Sequence, residues 1–135
     1  ISITDAVCQN PSNLVVNNIK ATTADVSWVS TNANSNLEYG IAGYTQGQGT
    51  YVANVSSVFS LTGLTPFTTY DVYIKDSCAT TNTSVWVGPV TFDTDCDTIF
   101  ASFNSSAVNT NVTFNASASF GSFINYAWNF GDGTN

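Results

Sequence analysis

The side chains best suited to chemistry are gathered in one acidic stretch, Asp93-Thr94-Asp95-Cys96-Asp97. Carboxylates at alternate positions can ligate Ca²⁺, a hard cation that prefers oxygen ligands. The EF-hand pattern is absent, because Thr98 stands where its turn glycine should be and no glutamate closes the loop. We therefore expect a solvated acidic linker, with a calcium site formed by Asp93, Asp95 and Asp97 as the alternative.

Catalytic devices are difficult to assemble from the remaining residues. The chain has no histidine, which excludes Ser-His-Asp and Cys-His arrangements. Glu38 is the one glutamate beside eight aspartates, and together they offer no evident acid/base pair. We expect no active site in this segment and no cofactor apart from the possible calcium, although a parent protein can carry a catalytic domain elsewhere.

Aromatic side chains predicted to face outward are the candidates for a binding surface. Tyr73 falls on the polar side of its strand, and Trp86 precedes a Gly88-Pro89 break. Together with Tyr44 or Tyr51, these rings are able to stack on sugars or on a partner protein. The alternative is that they form cross-strand pairs that serve stability alone.

The charge balance limits the possible partners. Two Lys/Arg stand against nine Asp/Glu, giving a net charge of −7. Nucleic acids and anionic membranes require a positive footprint, which Lys20 and Lys75 do not provide. We interpret the acidity as serving solubility rather than a dedicated acidic face. No apolar run approaches the roughly 20 residues of a membrane helix, so membrane insertion is not expected.

The elements that must position these residues are short β-strands. After a corner at Gly63 and Pro66, apolar residues alternate with polar ones from Tyr70 to Lys75, which is the period of a half-buried strand. The seven predicted strands are 14–19, 24–29, 37–44, 51–55, 57–61, 70–75 and 84–92. A loop is predicted over 76–83, and Pro89 predicts an edge or a bulge in the last strand. This pattern without helical periodicity predicts an all-β, immunoglobulin-like β-sandwich.

A glycine-rich segment, residues 43–50, has some similarity to a phosphate-binding loop. It lacks the Gly-Lys-Ser/Thr ending and a following helix that would supply amide dipoles. The segment is instead predicted to connect two antiparallel strands, since glycine supplies the positive φ that such turns need.

Several residues occur in the order found in fibronectin type III domains. The resemblance spans residues 8–94 and rests on Pro11-x-x-Leu14, Trp28, Tyr39, Leu61-x-x-Leu64-x-Pro66-x-Thr68-x-Tyr70-x-Val72 and Phe92-x-Thr94. We expect Trp28 to fill the core between two sheets. Tyr70 is expected to bury its ring beside the corner of Leu64 and Pro66 and to hydrogen-bond its hydroxyl to the corner backbone.

The three cysteines, Cys8, Cys78 and Cys96, are an odd number, which in an exported protein suggests one disulfide and one remaining thiol. The resemblance implies which two are paired. In fibronectin type III domains the first strand begins at the pole where the sixth ends, so Cys8 and Cys78 are predicted to be joined, with Cys96 at the opposite pole. Such a bond implies an oxidising compartment.

The C-terminal residues resemble a second family. Val112-Thr113-Phe114, followed by Tyr126-x-Trp128-x-Phe130-Gly131-Asp132-Gly133-Thr134, is similar to the polycystic kidney disease (PKD) domain, another immunoglobulin-like sandwich. Strands are predicted at 99–103, 111–115 and 124–130, with Trp128 in their core. PKD domains are longer than this stretch, so it is expected to be the N-terminal part of one.

Glycosylation motifs are also present. Asn-x-Ser/Thr sequons begin at Asn54, Asn82, Asn104, Asn111 and Asn115. Ser77 and Thr98 lie in Asp-Ser/Thr-apolar patterns that resemble a bacterial O-glycosylation motif.

These features predict a tail of a preceding module at 1–7, a fibronectin type III domain at 8–94, an acidic linker at 95–98 and a partial PKD-like domain at 99–135. The expected function is that of non-catalytic spacer and display modules in a large bacterial cell-surface protein, an adhesin or stalk. Its expected partners are neighbouring modules of the same chain and a surface protein or polysaccharide. The alternative is a set of substrate-targeting accessory modules of a secreted hydrolase, such as a glycoside hydrolase or a protease.

Overall fold

A computed structural model of the chain describes residues 7–32, 34–97, 99–119 and 127–129. The chain divides into two compact units, Ile1–Asp95 and Cys96–Asn135. Apart from the exposed Val7, the predicted N-terminal tail lies outside the described residues. None of the described residues forms a helix able to cross a membrane.

Two antiparallel sheets make up the first unit. The first sheet has the order β1-β2-β5 and consists of β1 (Ser12–Asn17), β2 (Thr23–Val29) and β5 (Phe59–Thr62). The second has the order β4-β3-β6-β7, with β8 also paired to β6, and consists of β3 (Asn34–Ile41), β4 (Thr50–Val55), β6 (Thr69–Ala79), β7 (Asn82–Thr83) and β8 (Val87–Asp93). This all-β architecture confirms the predicted fold class.

The largest error in the predicted strands of this unit concerns residues 76–83, which were expected to form a loop. β6 continues through Asp76 to Ala79 and then pairs back with the short β7. The polar residues of this segment indicate a loop, but Ser77 pairs with Asn34 of β3, and Asp76 is wholly buried. The last strand begins at Val87 rather than at residue 84.

The register of β8 against β6 has an irregularity at Pro89. Val90 pairs with Val72 and Val87 pairs with Ile74, so β8 has one extra residue between these pairs. Proline has no backbone N–H to donate to a ladder, and this explains its place in a bulge. The predicted position of Pro89 is confirmed.

The core forms where the inward residues of the two sheets meet. Trp28 of β2 is 5% exposed, and its Nε1 donates a hydrogen bond to Ser35 Oγ at 2.9 Å. Val72 and Ile74 of β6 are fully buried, as the alternation predicts. The other buried hydrophobic side chains of this cluster are Leu14, Ala24, Val26, Leu37, Val55, Leu61, Leu64, Tyr70 and Phe92.

The corner before β6 has the predicted tyrosine geometry. The Tyr70 ring is buried and stacks on Phe92 with a centroid separation of 5.8 Å. Its hydroxyl accepts a hydrogen bond from the Thr65 backbone N–H at 3.0 Å. Leu64 is buried beside it, and Pro66 is half-buried in the turn. The tyrosine therefore ties the corner to the strand that follows it.

The predicted disulfide between Cys8 and Cys78 is present, with a Cα–Cα distance of 5.7 Å and a sequence separation of 70 residues. On the chain-entropy model, closing a loop of this length stabilises the fold by about 4 kcal/mol. Cys96 remains a free thiol and is half-buried.

The second unit contains a hairpin of β9 (Asn104–Val108) and β10 (Asn111–Asn115). The strand predicted at 99–103 is wrong, and its place is taken by β9. Asn109 adopts a φ of 56°, which forms a two-residue turn and sets the pairing of Val108 with Asn111. The turn therefore selects the polar segment before it as the partner of β10.

Trp128 contacts one aromatic side chain just before this hairpin and another within β10. Its ring lies 5.4 Å from that of Phe103 and 5.4 Å from that of Phe114, measured between centroids. The strand predicted at 124–130 and the Gly-Asp-Gly turn lie outside the described residues, apart from 127–129.

Candidate functional site

The outer face of the second sheet, away from the core, carries most of the predicted binding residues. Glu38 of β3 is paired with Tyr51 of β4 on one side and with Tyr73 of β6 on the other. Directly paired residues share a face, and their neighbour Leu37 is buried in the core. Lys75 lies two residues beyond Tyr73 and therefore points to the same side.

Four aromatic rings and one cation meet on this surface. The Tyr44 ring packs edge-on against Tyr73 with centroids 5.9 Å apart, and the Tyr51 ring packs edge-on against Trp86 at 6.3 Å. Lys75 Nζ lies 4.7 Å from the centroid of the Trp86 ring. We call Tyr44, Tyr51, Tyr73, Lys75 and Trp86 the aromatic face.

Tyr44 is placed by two glycines of the segment that follows β3. A Cβ on Gly49 would lie 2.5 Å from the Tyr44 ring and 2.7 Å from the Tyr39 carbonyl oxygen. A Cβ on Gly40 would lie 2.9 Å from the same ring. The ring therefore occupies the space that side chains at these two positions would need, which explains why both residues are glycine.

Two carboxylates hold the same glycine-rich segment to the sheet. Glu38 is 2% exposed, and its Oε1 accepts hydrogen bonds from the backbone N–H groups of Gly47 at 2.7 Å and Gly49 at 2.9 Å. Asp71 Oδ2 accepts one from the N–H of Gly43 at 2.9 Å. These amides are already paired with carboxylates, which gives a physical reason why they would not bind a phosphate.

The Tyr44 hydroxyl is buried, and no hydrogen-bond partner lies within its reach in the described part of the chain. Burial, and after it the negative charge of Glu38, raises the pKa of Tyr44 above its ordinary value of 10.0. An unpaired buried hydroxyl contributes nothing to a binding surface. The position of Tyr44 is therefore explained by packing.

Solved structures with the same arrangement of strands are β-sandwich domains. The fibronectin type III domain of human contactin 1 matches with a TM-score of 0.58 and 17% identity, over 70% of this chain and 83% of its own. That of human collagen alpha-1(XX) matches with a TM-score of 0.58 and 23% identity, over 72% of this chain and 94% of its own. The chain has a fibronectin type III fold.

A redesigned β-sandwich protein is 32% identical to the chain, with a TM-score of 0.54, and covers 64% of this chain and 95% of that one. Neither a family model nor a curated protein matches the sequence.

Within this fibronectin type III fold, the predicted aromatic residues lie together on one face, but they differ in packing and in solvent exposure. Tyr44 lies over glycines, and Tyr73 packs against Tyr44. Tyr51 is 53% exposed and Trp86 is half-buried. Tyr51 is therefore the most exposed ring of the aromatic face, and Trp86 is the ring that packs against it.

Sequence reasoning missed the buried carboxylates of this sheet. Glu38 and Asp71 stand at outward positions, where alternation predicts solvent exposure, and yet both are buried. A signal was present, because the glycine-rich segment between β3 and β4 exposes backbone N–H groups that require acceptors. The identity of those acceptors depends on strand pairing, which is not a local property of the sequence.

A third buried carboxylate lies near the disulfide. Asp76 is 0% exposed, and its carboxylate accepts hydrogen bonds from Ser30 Oγ at 2.5 Å, Ser35 Oγ at 2.6 Å and Asn32 Nδ2 at 2.9 Å. Its backbone N–H donates to Ser84 Oγ at 2.9 Å. Neutral donors therefore satisfy this carboxylate and fix the end of β6 that carries Cys78.

The calcium site considered as an alternative for the acidic stretch remains a prediction. The described residues, which include Asp93, Asp95 and Asp97, contain no group of three His, Cys, Asp or Glu side chains placed to hold a metal ion. Asp93 Oδ1 accepts a hydrogen bond from the Thr69 hydroxyl at 2.5 Å.

The predicted glycosylation sites remain predictions. Ser77 is half-buried within β6, and Thr98 lies outside the described residues. Among the asparagines that begin sequons, those that are exposed are Asn54, Asn104, Asn111 and Asn115.

Proposed function

We propose that the chain is a non-catalytic segment of a larger exported cell-surface protein, an adhesin or a stalk. Its fibronectin type III module, residues 8–94, acts as a rigid spacer and displays the aromatic face to a partner. The following residues form an acidic linker at 95–98 and the start of a PKD-like sandwich at 99–135.

The observation that carries this proposal is the disulfide between Cys8 and Cys78. Structural disulfides form and persist in oxidising compartments and are rare in the cytosol. This one joins the segment before β1 to the end of β6 and so closes the fold across 70 residues. A module that is exposed outside the cell benefits from such a closure, because it must survive without chaperones.

The placement of the aromatic face supports a display role. Three of its five residues, Tyr51, Tyr73 and Lys75, lie on strands, and Tyr44 is fixed by packing on two glycines. Side chains on rigid strands lose little conformational entropy when they bind a partner.

The PKD-like assignment rests on the Trp128 motif and has one further support. Trp128 packs against Phe103 and against Phe114 of β10, as a core tryptophan of a sandwich would. The strands β9 and β10 are exposed throughout, and a two-stranded hairpin alone is marginally stable in water. We propose that additional strands cover this hairpin in the complete protein.

Localisation and thiol chemistry test the exported-module function. Antibody against residues 8–94 should find the protein outside the cytoplasmic membrane of intact cells. Alkylation before reduction should modify Cys96 and leave Cys8 and Cys78 unmodified. A cytoplasmic protein with three alkylated cysteines would refute the proposal. The complete open reading frame would separate an adhesin, with further repeats, from a hydrolase with a catalytic domain.

A further inference from the structure

Two rings of the aromatic face form a corner that is partly exposed to solvent. The planes of Tyr51 and Trp86 meet at 83°, with their centroids 6.3 Å apart. Tyr51 is 53% exposed, and Trp86 is half-buried. A flat ligand that stacks on one of these rings would therefore have its edge in contact with the other ring.

We propose that Tyr51 and Trp86 form a stacking site for a neutral polysaccharide. Pyranose rings present flat C–H faces that pack on aromatic rings, while their hydroxyl groups hydrogen-bond to polar groups around them. This inference names a ligand class for the display module, and it therefore rests on the proposed function.

The charge of the chain selects a neutral polymer over a charged one. The net charge is −7, and an acidic polysaccharide would be repelled by it. A cationic polymer would be attracted by the acidic surface as a whole, and its binding would not depend on two particular rings. Lys75 places a positive charge beside Trp86 and disfavours a cation at this position.

The size of the corner also favours sugar rings over a protein partner. A whole aromatic side chain buries about 150–250 Å², and only the exposed part of each ring is available here, so the two rings supply about 250 Å² or less. A stable protein–protein interface buries about 600 Å² or more on each partner. A site of this size is therefore matched to a short stretch of polysaccharide.

The corner is preorganised by its neighbours. Tyr51 lies on β4 opposite Glu38, which is anchored by two backbone amides of the glycine-rich segment. The Lys75 ammonium lies over the Trp86 ring at 4.7 Å and restricts its orientation. Lys75 is thus a positioning residue, and the two rings are the contact residues.

Affinity electrophoresis of the 135-residue chain tests this site. The gels contain hydroxyethylcellulose, galactomannan or soluble starch as neutral polymers, alginate as an acidic one and glycol chitosan as a cationic one. We expect at least one neutral polymer to retard the wild-type protein, with little effect of salt. Trp86→Ala and Tyr51→Ala should each weaken that retardation about tenfold, since each removes one stacking surface worth about 1.4 kcal/mol.

Phe67→Ala is the matched control, because Phe67 is an aromatic residue that is 65% exposed and lies outside the aromatic face, two residues before β6 begins. It should bind as the wild type does. Thermal unfolding and non-reduced mass confirm that each variant is folded with Cys8 and Cys78 joined. Tyr51→Phe keeps the ring and removes only the hydroxyl, so it should retain binding. Comparison of Tyr51→Phe with Tyr51→Ala tests the stacking site independently of whether Trp86→Ala folds.

Three results would overturn the stacking site. They are no retardation by any of the three neutral polymers, retardation by alginate or glycol chitosan alone, and unchanged binding in folded Trp86→Ala and Tyr51→Ala. A folded, disulfide-bonded wild-type protein that ignores neutral polymers leaves the exported-module function standing, because localisation tests that function separately.

Discussion

Removal of the Glu38 carboxylate should destabilise the fold although Glu38 lies on the outer face of its sheet. One oxygen of this side chain accepts hydrogen bonds from the N–H groups of Gly47 and Gly49, at 2.7 and 2.9 Å. A hydrogen bond to a charged group contributes about 1.5–3 kcal/mol to stability, and a neutral one about 0.5–1.5 kcal/mol. The two bonds together are therefore worth about 3–6 kcal/mol with the carboxylate and about 1–3 kcal/mol with an amide.

These values separate two substitutions. Glu38→Gln keeps a carbonyl oxygen at the same place, and we expect it to lower the free energy of unfolding by about 2 kcal/mol. Glu38→Ala leaves both amides without their acceptor. We expect it to cost about 3 kcal/mol, at the lower end of the range, because Gly47 is exposed and water can reach its amide.

Urea unfolding followed by tryptophan fluorescence measures the global effect, and hydrogen exchange of the Gly47 and Gly49 amides measures the local one. Both amides should be protected in the wild type and lose protection in Glu38→Ala. Asp95→Asn removes the charge of an exposed carboxylate and should change stability by less than about 0.5 kcal/mol. An unchanged urea midpoint in Glu38→Ala, or unprotected amides in the wild type, would refute this account of the loop.

Four further predictions concern Tyr44, the disulfide and the corner before β6. In urea unfolding, Tyr44→Phe should raise the free energy of unfolding by about 1 kcal/mol, because it removes a buried unpaired hydroxyl. The raised pKa of Tyr44 means that the unfolded state loses its proton first, so wild-type stability should fall as pH rises above 10.0, and less steeply in Tyr44→Phe. Replacing Cys8 and Cys78 by alanine should cost about 4 kcal/mol in urea unfolding, and reduction of the wild type should have the same effect. Tyr70→Phe should cost about 1 kcal/mol through the lost Thr65 bond, whereas Tyr70→Ala should cost roughly 3–5 kcal/mol through a cavity; equal losses would contradict the corner geometry.

The strands of the first unit were predictable because their signals are local. Alternation from Tyr70 to Ile74 and the punctuation at Gly63 and Pro66 depend on neighbours a few residues away. The prediction failed where a distant partner overrides such signals. Asp76 belongs to a polar run that indicates a loop, but Ser35 and other donors from elsewhere in the chain hold it inside the extended β6.

The sequence predicts which aromatic residues form the candidate site, but it does not predict which of them a ligand can reach. Tyr44, Tyr51, Tyr73 and Trp86 were all identified as outward aromatic residues, and they meet on one face. Their surroundings decide which of them a ligand can reach. From the sequence, Lys75 is recognisable only as a charge, because its place over an indole ring depends on how β6 and the segment before β8 lie together.

The amino-acid sequence alone determined that this chain is all-β, that it turns a corner before Tyr70 and that its acidity disfavours polyanionic partners, because alternation, turn chemistry and charge are properties of the chain itself. Tertiary structure decided that Glu38 is a buried acceptor, that Tyr44 is a packing residue, and that Tyr51 is exposed beside a half-buried Trp86. Those outcomes depend on the register between strands and on which glycines lie beneath a ring. Both are set by partners far apart in the sequence, and they become defined when the sheet assembles.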